Sequence, residues 1–450
     1  MATVDGLSRD EAQQLTTRVL GLSGADEARV NLRSGRRGNT RWAGNGVSTG
    51  ADVADAQLVV TSAFGRRVAS ATTNRFDDDG LRQAVETSER LARLVPENPE
   101  YVGELGAQTF PEPAASFAST AGLDPEARAE AVAEVSRRAQ ARGLVSTGFL
   151  PFEAGQRAVA TSRGLFAYDR TTGAALTTTV RTPEGDGSGW AGAAANDWND
   201  VDPAALAERA IEKAERSRGA EAVEPGRWTV VLEPSAVGSM IGLLMGSLSA
   251  RQADEGRSFF ARPGGGTRLG ERFVDERVRI SSDPLDPALF STPFSPEGLP
   301  NRPTTWVEGG ALQNLIYDRF WAQEKGREPT GFPSGYAMAG GEATVEEMVA
   351  STERGLLVTR LWYIRSVDPR AILFTGLTRD GTFLIEDGRV TRAVKNLRWN
   401  ESPVAMLNGV EAMGRPVRVP AGESGEIGSS VVVPPLKLSG FTFTSVSDAV

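Results

Sequence analysis

The sequence contains neither histidine nor cysteine in its 450 residues. Histidine has an ordinary pKa near neutrality and is the commonest metal ligand, and the cysteine thiolate is a soft ligand and a strong nucleophile. Their absence excludes Ser-His-Asp and Cys-His triads, zinc sites built from imidazole or thiolate, and iron–sulfur clusters held by the chain's own thiolates. Any chemistry must therefore come from carboxylates, hydroxyls, Lys, Arg, Tyr, backbone dipoles or a bound partner.

Two interpretations of this absence remain open. In one, histidine and cysteine were lost by compositional drift from a protein that never needed them. In the other, a site once built from these residues has been dismantled. Lysine is also scarce, so a Schiff-base or Ser-Lys mechanism has few candidate residues. The lysines are Lys213, Lys325, Lys395 and Lys437.

Long apolar runs and an excess of positive charge are missing as well. No stretch approaches the ~18 consecutive apolar residues of a membrane-spanning helix, and the first residues lack the basic and apolar segments of a secretory signal. The formal net charge is −9, which gives no general reason to bind nucleic acid or an anionic membrane. We therefore expect a cytoplasmic globular protein that binds neither nucleic acid nor membranes.

The predicted helices and strands indicate an α+β fold. N-terminal and central units with α/β layers are followed by a β-rich C-terminal domain, with the bounds 1–110, 111–223 and 224–450. The first unit is predicted to contain two helices and three short strands, at 9–21, 81–94, 28–32, 40–43 and 56–62. The central unit is predicted to contain two helices and the strands between them, at 124–143, 202–218 and 145–182.

One helix of the C-terminal domain is predicted over residues 235–253, with Ser235 as its N-cap. Its apolar stripe at helical spacing consists of Val237, Ile241, Leu244 and Leu248. Another face carries three glycines four residues apart, Gly238, Gly242 and Gly246. Each glycine costs about 1 kcal/mol relative to alanine inside a helix, so something is expected to pack very close to this face. It is either another element of the same domain or a peptide or partner chain in an open groove.

Several segments share their order and spacing with one known family. They are Gly65-Arg-Arg-Val-Ala-Ser-Ala-Thr-Thr-Asn, Ser162-Arg-Gly-Leu, Gly187-Ser-Gly-Trp, Gly355-Leu-Leu-Val, Thr375-Gly-Leu-Thr-Arg-Asp-Gly and Pro434-Pro-Leu-Lys-Leu. Together they resemble the TldD/TldE family, whose TldE-type members are also called PmbA and were once described as modulators of DNA gyrase. The resemblance runs through most of the chain.

In this family the TldD-type subunit is a zinc metallopeptidase. Its helical motif, His-Glu-x-x-x-His, brings two imidazoles to one metal and supplies a glutamate as general base for metal-bound water, and a later cysteine is a further ligand. Alignment by resemblance places Gly242, Leu243 and Ser247 at the His, Glu and His positions, and the cysteine would fall within 419–430. The required side chains are missing at all of these positions. The resemblance therefore implies that this chain holds no metal and no cofactor.

In lacking the metal-binding motif, this chain resembles the TldE-type subunit. This implies a non-catalytic subunit of a cytosolic peptidase complex, which pairs with a TldD-type subunit, forms part of a chamber and accepts a peptide as an added strand. Gly238 and Gly246 are candidate groove or interface residues. So are three nearby arginines, which would hold a peptide carboxylate or a partner's acidic side chains; for at least two of them surface solvation is the preferred interpretation. These are Arg251, Arg257 and Arg262.

Two other functions remain open. One is a homodimeric protein that binds a peptide or a peptide-like metabolite without cleaving it. The other is a divergent enzyme that uses carboxylates or tyrosines instead of a metal, for which Glu271 and Asp275 are the residues to test. Carboxylates bind Mg²⁺ or Ca²⁺ without histidine. No Asp-x-Asp-x-Asp-Gly loop is present, however, so a solvated acidic surface is the favoured interpretation of this region.

Overall fold

The computed structural model describes residues 6–420 and 430–447. Its first elements are α1 Arg9–Leu22, β1 Glu27–Ala43, β2 Gly46–Phe64, β3 Arg67–Thr73 and α2 Asp78–Leu94. Both helices begin at side-chain caps, since Ser8 accepts from the N–H of Glu11 and Asp77 accepts from the N–H of Gly80. The prediction of separate strands at 28–32 and 40–43 is wrong. The glycines between them lie inside one continuous ladder with β2 rather than in a turn.

The next elements are α3 Ala118–Ala121, α4 Pro125–Ala141, β4 Val145–Thr161, β5 Phe166–Arg181, β6 Ser188–Ala195, a 3₁₀ turn Trp198–Asp200 and α5 Pro203–Arg216. Asp124 and Asp202 cap α4 and α5, and each precedes a proline at the first helical position. β1 and β4 pair antiparallel from Arg29 opposite Thr161 onwards. The strands of the two predicted units thus form one six-stranded sheet in the order β3-β2-β1-β4-β5-β6. The division into units at 110 and 223 stays a prediction.

The long helices all cover the same face of this sheet. Residues directly opposite one another in an antiparallel ladder share a face, and Leu32 opposite Ala158 and Thr40 opposite Leu150 lie on the covered one. α1 and α2 pack over one end of the strands, and α4 and α5 pack over the other end. The second face is contacted by the C-terminal part of the chain, where the side-chain amide of Asn31 donates to the carbonyl of Pro296 (2.7 Å).

Within the described residues, the C-terminal part contains eighteen further strands and helices, in this chain order: β7 Gly226–Leu232, α6 Pro234–Gly246, α7 Ala250–Asp254, β8 Ile280–Ser282, β9 Thr304–Glu308, β10 Ala311–Leu312, α8 Arg319–Glu324, β11 Tyr336–Met338, α9 Val345–Ala350, β12 Arg354–Asp368, β13 Leu373–Glu386, β14 Arg389–Ala393, β15 Leu397–Glu401, α10 Pro403–Asn408, β16 Val410–Met413, β17 Val417–Pro420, β18 Ser430–Val433 and β19 Leu436–Val446. They form a six-stranded sheet, β10-β9-β8-β11-β18-β17, and a seven-stranded sheet, β12-β7-β19-β15-β13-β14 with β16 beside β19.

Helix α6 lies between these two C-terminal sheets. It contacts β7 and β12 of the seven-stranded sheet and β17 and β18 of the other, and its apolar residues belong to the largest buried cluster of the described chain. The mixture of helical layers and largely antiparallel sheets confirms the predicted α+β fold. Within the described ranges, no helix combines the length and the apolar character needed to cross a membrane.

Candidate functional site

Helix α6 carries the positions where the family resemblance places the metal motif. It begins at Pro234 with Glu233 as its cap, so the prediction of Ser235 as N-cap is wrong. It also ends earlier than predicted, at Gly246. The Ser247 hydroxyl donates back to the carbonyl of Leu243 (2.8 Å), and Ser249 caps the separate helix α7. Both glycine and serine favour helix ends. Serine does so because its side chain competes for the backbone hydrogen bonds of the helix.

The predicted apolar stripe of α6 is confirmed. Its members have no exposed surface in the described structure: Val237, Ile241, Leu244 and Leu248. The opposite side of the helix is partly exposed and carries Gly242, Leu243, Gly246 and Ser247. The three motif positions therefore share the accessible side of an otherwise buried helix.

The three glycines of α6 have different surroundings. A Cβ atom on Gly238 would stand 2.9 Å from a methyl of Val419 and 3.0 Å from a methyl of Val431, so β17 and β18 pack directly on it. A Cβ on Gly242 would stand 3.1 Å from the hydroxyl oxygen of Tyr336, whereas one on Gly246 would meet no described atom within 4 Å. Close packing by the same domain thus explains the first glycine, and no described residue packs on the last one.

The residues at the motif positions do not fit a zinc ion. Gly242 and Leu243 have no side-chain donor atom, and the Ser247 hydroxyl is bonded to a helix carbonyl. No group of three acidic side chains within residues 6–420 and 430–447 is arranged to hold a metal ion. The segment that would supply the cysteine of the motif lies largely at 421–429, outside the described residues, and its sequence contains no cysteine. The motif positions of this chain therefore support no metal-dependent reaction step.

Tyr336 is the polar side chain nearest to the first motif position. It lies on β11 and is largely buried, and this burial raises the pKa of its hydroxyl to about 12. The hydroxyl is therefore neutral at physiological pH, and it makes no hydrogen bond to another described residue. Sequence reasoning missed this contact because the residue is remote from α6 along the chain.

The three arginines near α6 are each paired with acidic side chains of the chain itself. Arg251 pairs with Glu100 (2.9 Å) and Glu255 (3.1 Å) and lies over the rings of Phe320 and Trp321. Arg257 also pairs with Glu255. Arg262 pairs with Glu271 at 2.6 Å, so none of the three points at the accessible side of α6 without a partner. Their role in a groove or interface stays a prediction.

Glu271 and Asp275 are likewise engaged at the surface. Glu271 is the partner of Arg262, and Asp275 pairs with Arg277 at 2.8 Å. Hydrogen bonds from Arg277 lower the pKa of the Asp275 carboxyl to about 2. A general base needs a pKa closer to the operating pH, so this geometry gives Asp275 no acid–base role.

An open strand edge is a second feature that sequence reasoning missed. β3 pairs with β2 only from Leu58 to Phe64, and on the other side β2 pairs with β1 along its whole length. The part of β2 from Gly46 to Asp55 is exposed on both faces and has no outer neighbour among residues 6–420 and 430–447. Val47 and Val53 are 55% and 44% exposed there. A long unpaired edge of this kind is a template for a further strand; its run of small residues without alternating apolar positions was the available signal.

The sequence is similar to known proteins over its central and C-terminal parts. Residues 225–445 match the C-terminal domain of the PmbA/TldA metallopeptidases, and residues 114–218 match their central domain. A protein named metalloprotease from Methanothermobacter thermautotrophicus is 27% identical over 248 residues, which are 51% of this chain and 52% of that protein. An uncharacterized protein from Methanocaldococcus jannaschii is 30% identical over 135 residues, 30% of this chain and 31% of that protein. The chain thus spans about half the length, or less, of these curated relatives.

Solved structures resemble the whole fold. A candidate modulator of a DNA gyrase from Thermotoga maritima superposes with a TM-score of 0.84 at 17% identity, over 96% of this chain and 100% of that one. TldE from Thermococcus kodakarensis superposes with a TM-score of 0.82 at 18% identity, over 96% and 99% of the two chains. At these identities the likeness establishes the fold.

Proposed function

The chain belongs to the PmbA/TldD metallopeptidase family, and on this premise we propose that it is the subunit without a metal site in a two-chain cytoplasmic peptidase. A TldD-type subunit would hold the zinc ion. This chain would supply part of the chamber and of the groove that binds the peptide. The proposal assigns the chemistry of peptide cleavage to the partner and assigns enclosure and peptide placement to this chain.

The main support for the proposal is that helix α6 is well packed but has no metal-binding side chains at its motif positions. Its buried stripe is complete, and β17 and β18 pack closely on Gly238. Only the accessible side has lost chemical function, since Gly242 and Leu243 offer no donor atom and Ser247 is bonded within the helix. A helix that keeps its packing and lacks only its ligands is what a non-catalytic subunit needs, because the fold is retained while zinc is held elsewhere.

The open edge of β2 supports pairing with a second chain. Ten consecutive residues from Gly46 to Asp55 have no outer strand neighbour in the described part of the chain. The segment contains no proline or lysine that would discourage edge pairing. Main-chain hydrogen bonds to an added strand would satisfy this edge and bury Val47. In the proposal, the strand that covers the edge belongs to the TldD-type subunit.

Co-expression with a TldD-type subunit tests the assignment. We expect the two chains to co-purify, with one zinc ion per pair and peptide hydrolysis only when both are present. This chain purified alone should contain no zinc and leave the peptide intact. Hydrolysis by this chain alone would overturn the proposal. A stable homodimer that binds peptide and ignores the TldD-type subunit would favour the binding-protein alternative instead.

The strand edge provides a variant with a matched control. In Val47→Lys/Ala51→Lys, two lysines are placed on the open part of β2, and we expect co-purification to weaken because charged edges disfavour strand addition. Thr72→Lys places one lysine on an exposed position of β3, away from the open segment. It should leave co-purification unchanged. Equal behaviour of the two variants would remove the β2 edge from the proposed interface.

A further inference from the structure

A polar pocket lies on the second face of the six-stranded sheet, opposite the helices. Its volume is about 310 Å³, which is within the usual size range of small-molecule sites, roughly 300–1,000 Å³. Side chains from β1, β2, β4 and β5 surround it. Phe290 forms one margin, and its carbonyl oxygen lies 3.0 Å from where a Cβ on Gly335 would stand, next to Tyr336.

The floor of the pocket is backbone. Gly35 and Gly155 stand opposite one another across β1 and β4. A Cβ on Gly35, where φ is +156°, would come within 2.4 Å of the carbonyl oxygen of Ala154, so only glycine allows this close approach of the strands. The residues two positions before and after each glycine share its face, since side chains alternate along a strand, and they surround a depression in the sheet.

One end of the pocket is rich in guanidinium groups. Arg33 and Arg157 stand directly opposite one another across β1 and β4, a like-charge arrangement that is unfavourable without an anion. Arg157 pairs with Asp169 through one terminal nitrogen (2.9 Å), but its Nε is buried without a hydrogen-bond partner among the described residues. The side chain of Arg33 makes no hydrogen bond or ion pair to any other described residue. This end therefore offers unsatisfied donors to a carboxylate.

The other end of the pocket carries acidic groups. Glu153 stands opposite Arg37 across the same two strands, yet its carboxylate accepts no hydrogen bond and forms no ion pair within the described residues. Asp55 also lines the pocket, from β2, where it stands opposite Gly35 and is separated from Glu153 by β1. Burial raises the pKa of the Glu153 carboxyl although three arginines oppose the shift. Such a carboxylate, which is partly buried and has no hydrogen-bond partner among the described residues, can accept hydrogen bonds from an ammonium group.

The two ends are separated by a defined distance along the strands. Arg33 and Arg37 are four residues apart, which corresponds to about 13 Å of extended strand. A tripeptide in extended form spans about 10 Å, which is shorter than this separation and leaves room for contacts with the side chains at its two termini. The pocket thus has the polarity and the length of a short zwitterion with a carboxylate at one end and an ammonium group at the other.

We propose that this pocket binds a short peptide with free termini, its carboxylate on Arg33 and Arg157 and its ammonium group on Glu153. The assignment depends on this chain alone and goes beyond the proposed pairing with a metal-bearing subunit. Peptide binding is therefore measured on the isolated full chain, whereas the pairing is measured by co-purification. Either proposal can fail while the other stands.

Isothermal titration calorimetry with tri-alanine tests the site. We expect the form with two free termini to bind, and the C-terminal amide and the N-acetyl form each to bind at least about tenfold more weakly, because each loses a charge-assisted contact. Equal binding of the amide and the free acid would overturn the proposal. So would binding of inorganic phosphate without binding of the peptide, or no binding of any form.

Matched variants separate the two ends. Arg33→Gln should weaken binding of free tri-alanine at least about tenfold and abolish its preference over the amide. Glu153→Gln should weaken binding of the free peptide and leave the N-acetyl form unaffected. Arg41→Gln is the control: it lies on the same strand and face, stacks on Phe149 at 4.5 Å and does not line the pocket. A loss in Arg41→Gln equal to that in Arg33→Gln would show a general charge effect and would also overturn the assignment.

Discussion

The hydroxyl oxygen of Tyr336 lies 3.1 Å from the point where a Cβ atom on residue 242 would stand. In the family resemblance, residue 242 is where a catalytic relative carries its first metal-binding histidine. Here glycine leaves that space to a buried tyrosine from β11. The space beside α6 is therefore partly filled by another side chain, and any larger residue at position 242 must displace the tyrosine.

This contact predicts a coupling between the two residues. In the wild type, Gly242→Ala should change the free energy of unfolding little, because its gain in helix propensity is offset by the tight contact with the hydroxyl. In a Tyr336→Phe background the hydroxyl is gone, and Gly242→Ala should stabilise by about 0.5–1 kcal/mol. Urea denaturation of the four proteins of the cycle measures the coupling. Identical effects of Gly242→Ala in both backgrounds would show that the contact has no energetic weight.

The other two glycines of α6 should respond in opposite directions. Gly238→Ala places a methyl against Val419 and Val431 inside the core, and we expect a loss of about 1–3 kcal/mol from overpacking. Gly246→Ala meets no atom of the described residues within 4 Å and should gain about 0.5–1 kcal/mol because alanine restricts the unfolded chain. Thermal or urea unfolding distinguishes the two signs. A loss at both positions would mean that the helix end is covered in solution.

A buried arginine connects α4 to the hairpin of β1 and β2. Arg128 is 1% exposed; its guanidinium donates to the Thr40 hydroxyl (3.2 Å) and the Leu123 carbonyl (3.0 Å) and pairs with Asp52. Burial opposes ionisation of Asp52, but hydrogen bonds from Arg128 and Arg36 outweigh it and hold the pKa of that carboxyl below its usual value.

Arg128→Met should therefore destabilise the protein by about 3 kcal/mol, because the aliphatic stem is kept while a buried charge pair is broken. Arg138→Met is the control on the same helix. Arg138 is 37% exposed and pairs with Glu134 and Glu208 at the surface, so its loss should cost much less than the loss of Arg128, because solvent screens exposed ion pairs. Chemical denaturation compares the two, and equal losses would contradict the distinction.

The helix starts of the first half were predictable because their signals are local. Asp124 and Asp202, each followed by proline, mark α4 and α5, and the observed helices begin at the following residue. Where local signals conflict, prediction failed. The stretch from 235 to 253 has helical periodicity throughout, but Gly246 and the two serines after it end the helix. Propensity alone does not decide such a break, because the side-chain hydrogen bond from Ser247 competes with the next turn.

The less local the feature, the less of it the sequence predicts. The positions of the degenerate motif follow from resemblance to a family, and their chemical emptiness follows from composition. The open edge of β2 and the pocket at Gly35 depend on the register of β1 with β2 and β4, which joins residues more than a hundred positions apart, such as Arg33 and Arg157. Strand periodicity gives the alternation of faces but carries no information about which strand becomes the neighbour.

The buried carboxyl of Glu153 predicts a pH dependence of stability with a definite sign. Burial raises its folded pKa above the ordinary value of 4.5, against the opposing charges of Arg157, Arg33 and Arg37. The folded protein thus binds a proton there more readily than the unfolded chain does. The associated stabilisation is complete below the unfolded pKa and is lost as the pH rises through the folded pKa. We expect the free energy of unfolding of Glu153→Gln, relative to the wild type, to rise as the pH increases through and above the ordinary carboxyl range.

Glu134 supplies a control of opposite sign. A hydrogen bond from Arg138 is the main cause that lowers the pKa of its exposed carboxyl. Its stabilisation is therefore present above the unfolded pKa and is lost as the pH falls through the folded pKa. Relative to the wild type, Glu134→Gln should lose stability as the pH rises from about 3 to 5. Urea titrations at several pH values give both slopes. If the unfolding free energies of both variants, relative to the wild type, changed with pH in the same direction, the pKa of Glu153 would not be raised by burial. Replacing a carboxyl by an amide gives increasing relative stability at higher pH only where burial penalises the ionised carboxyl.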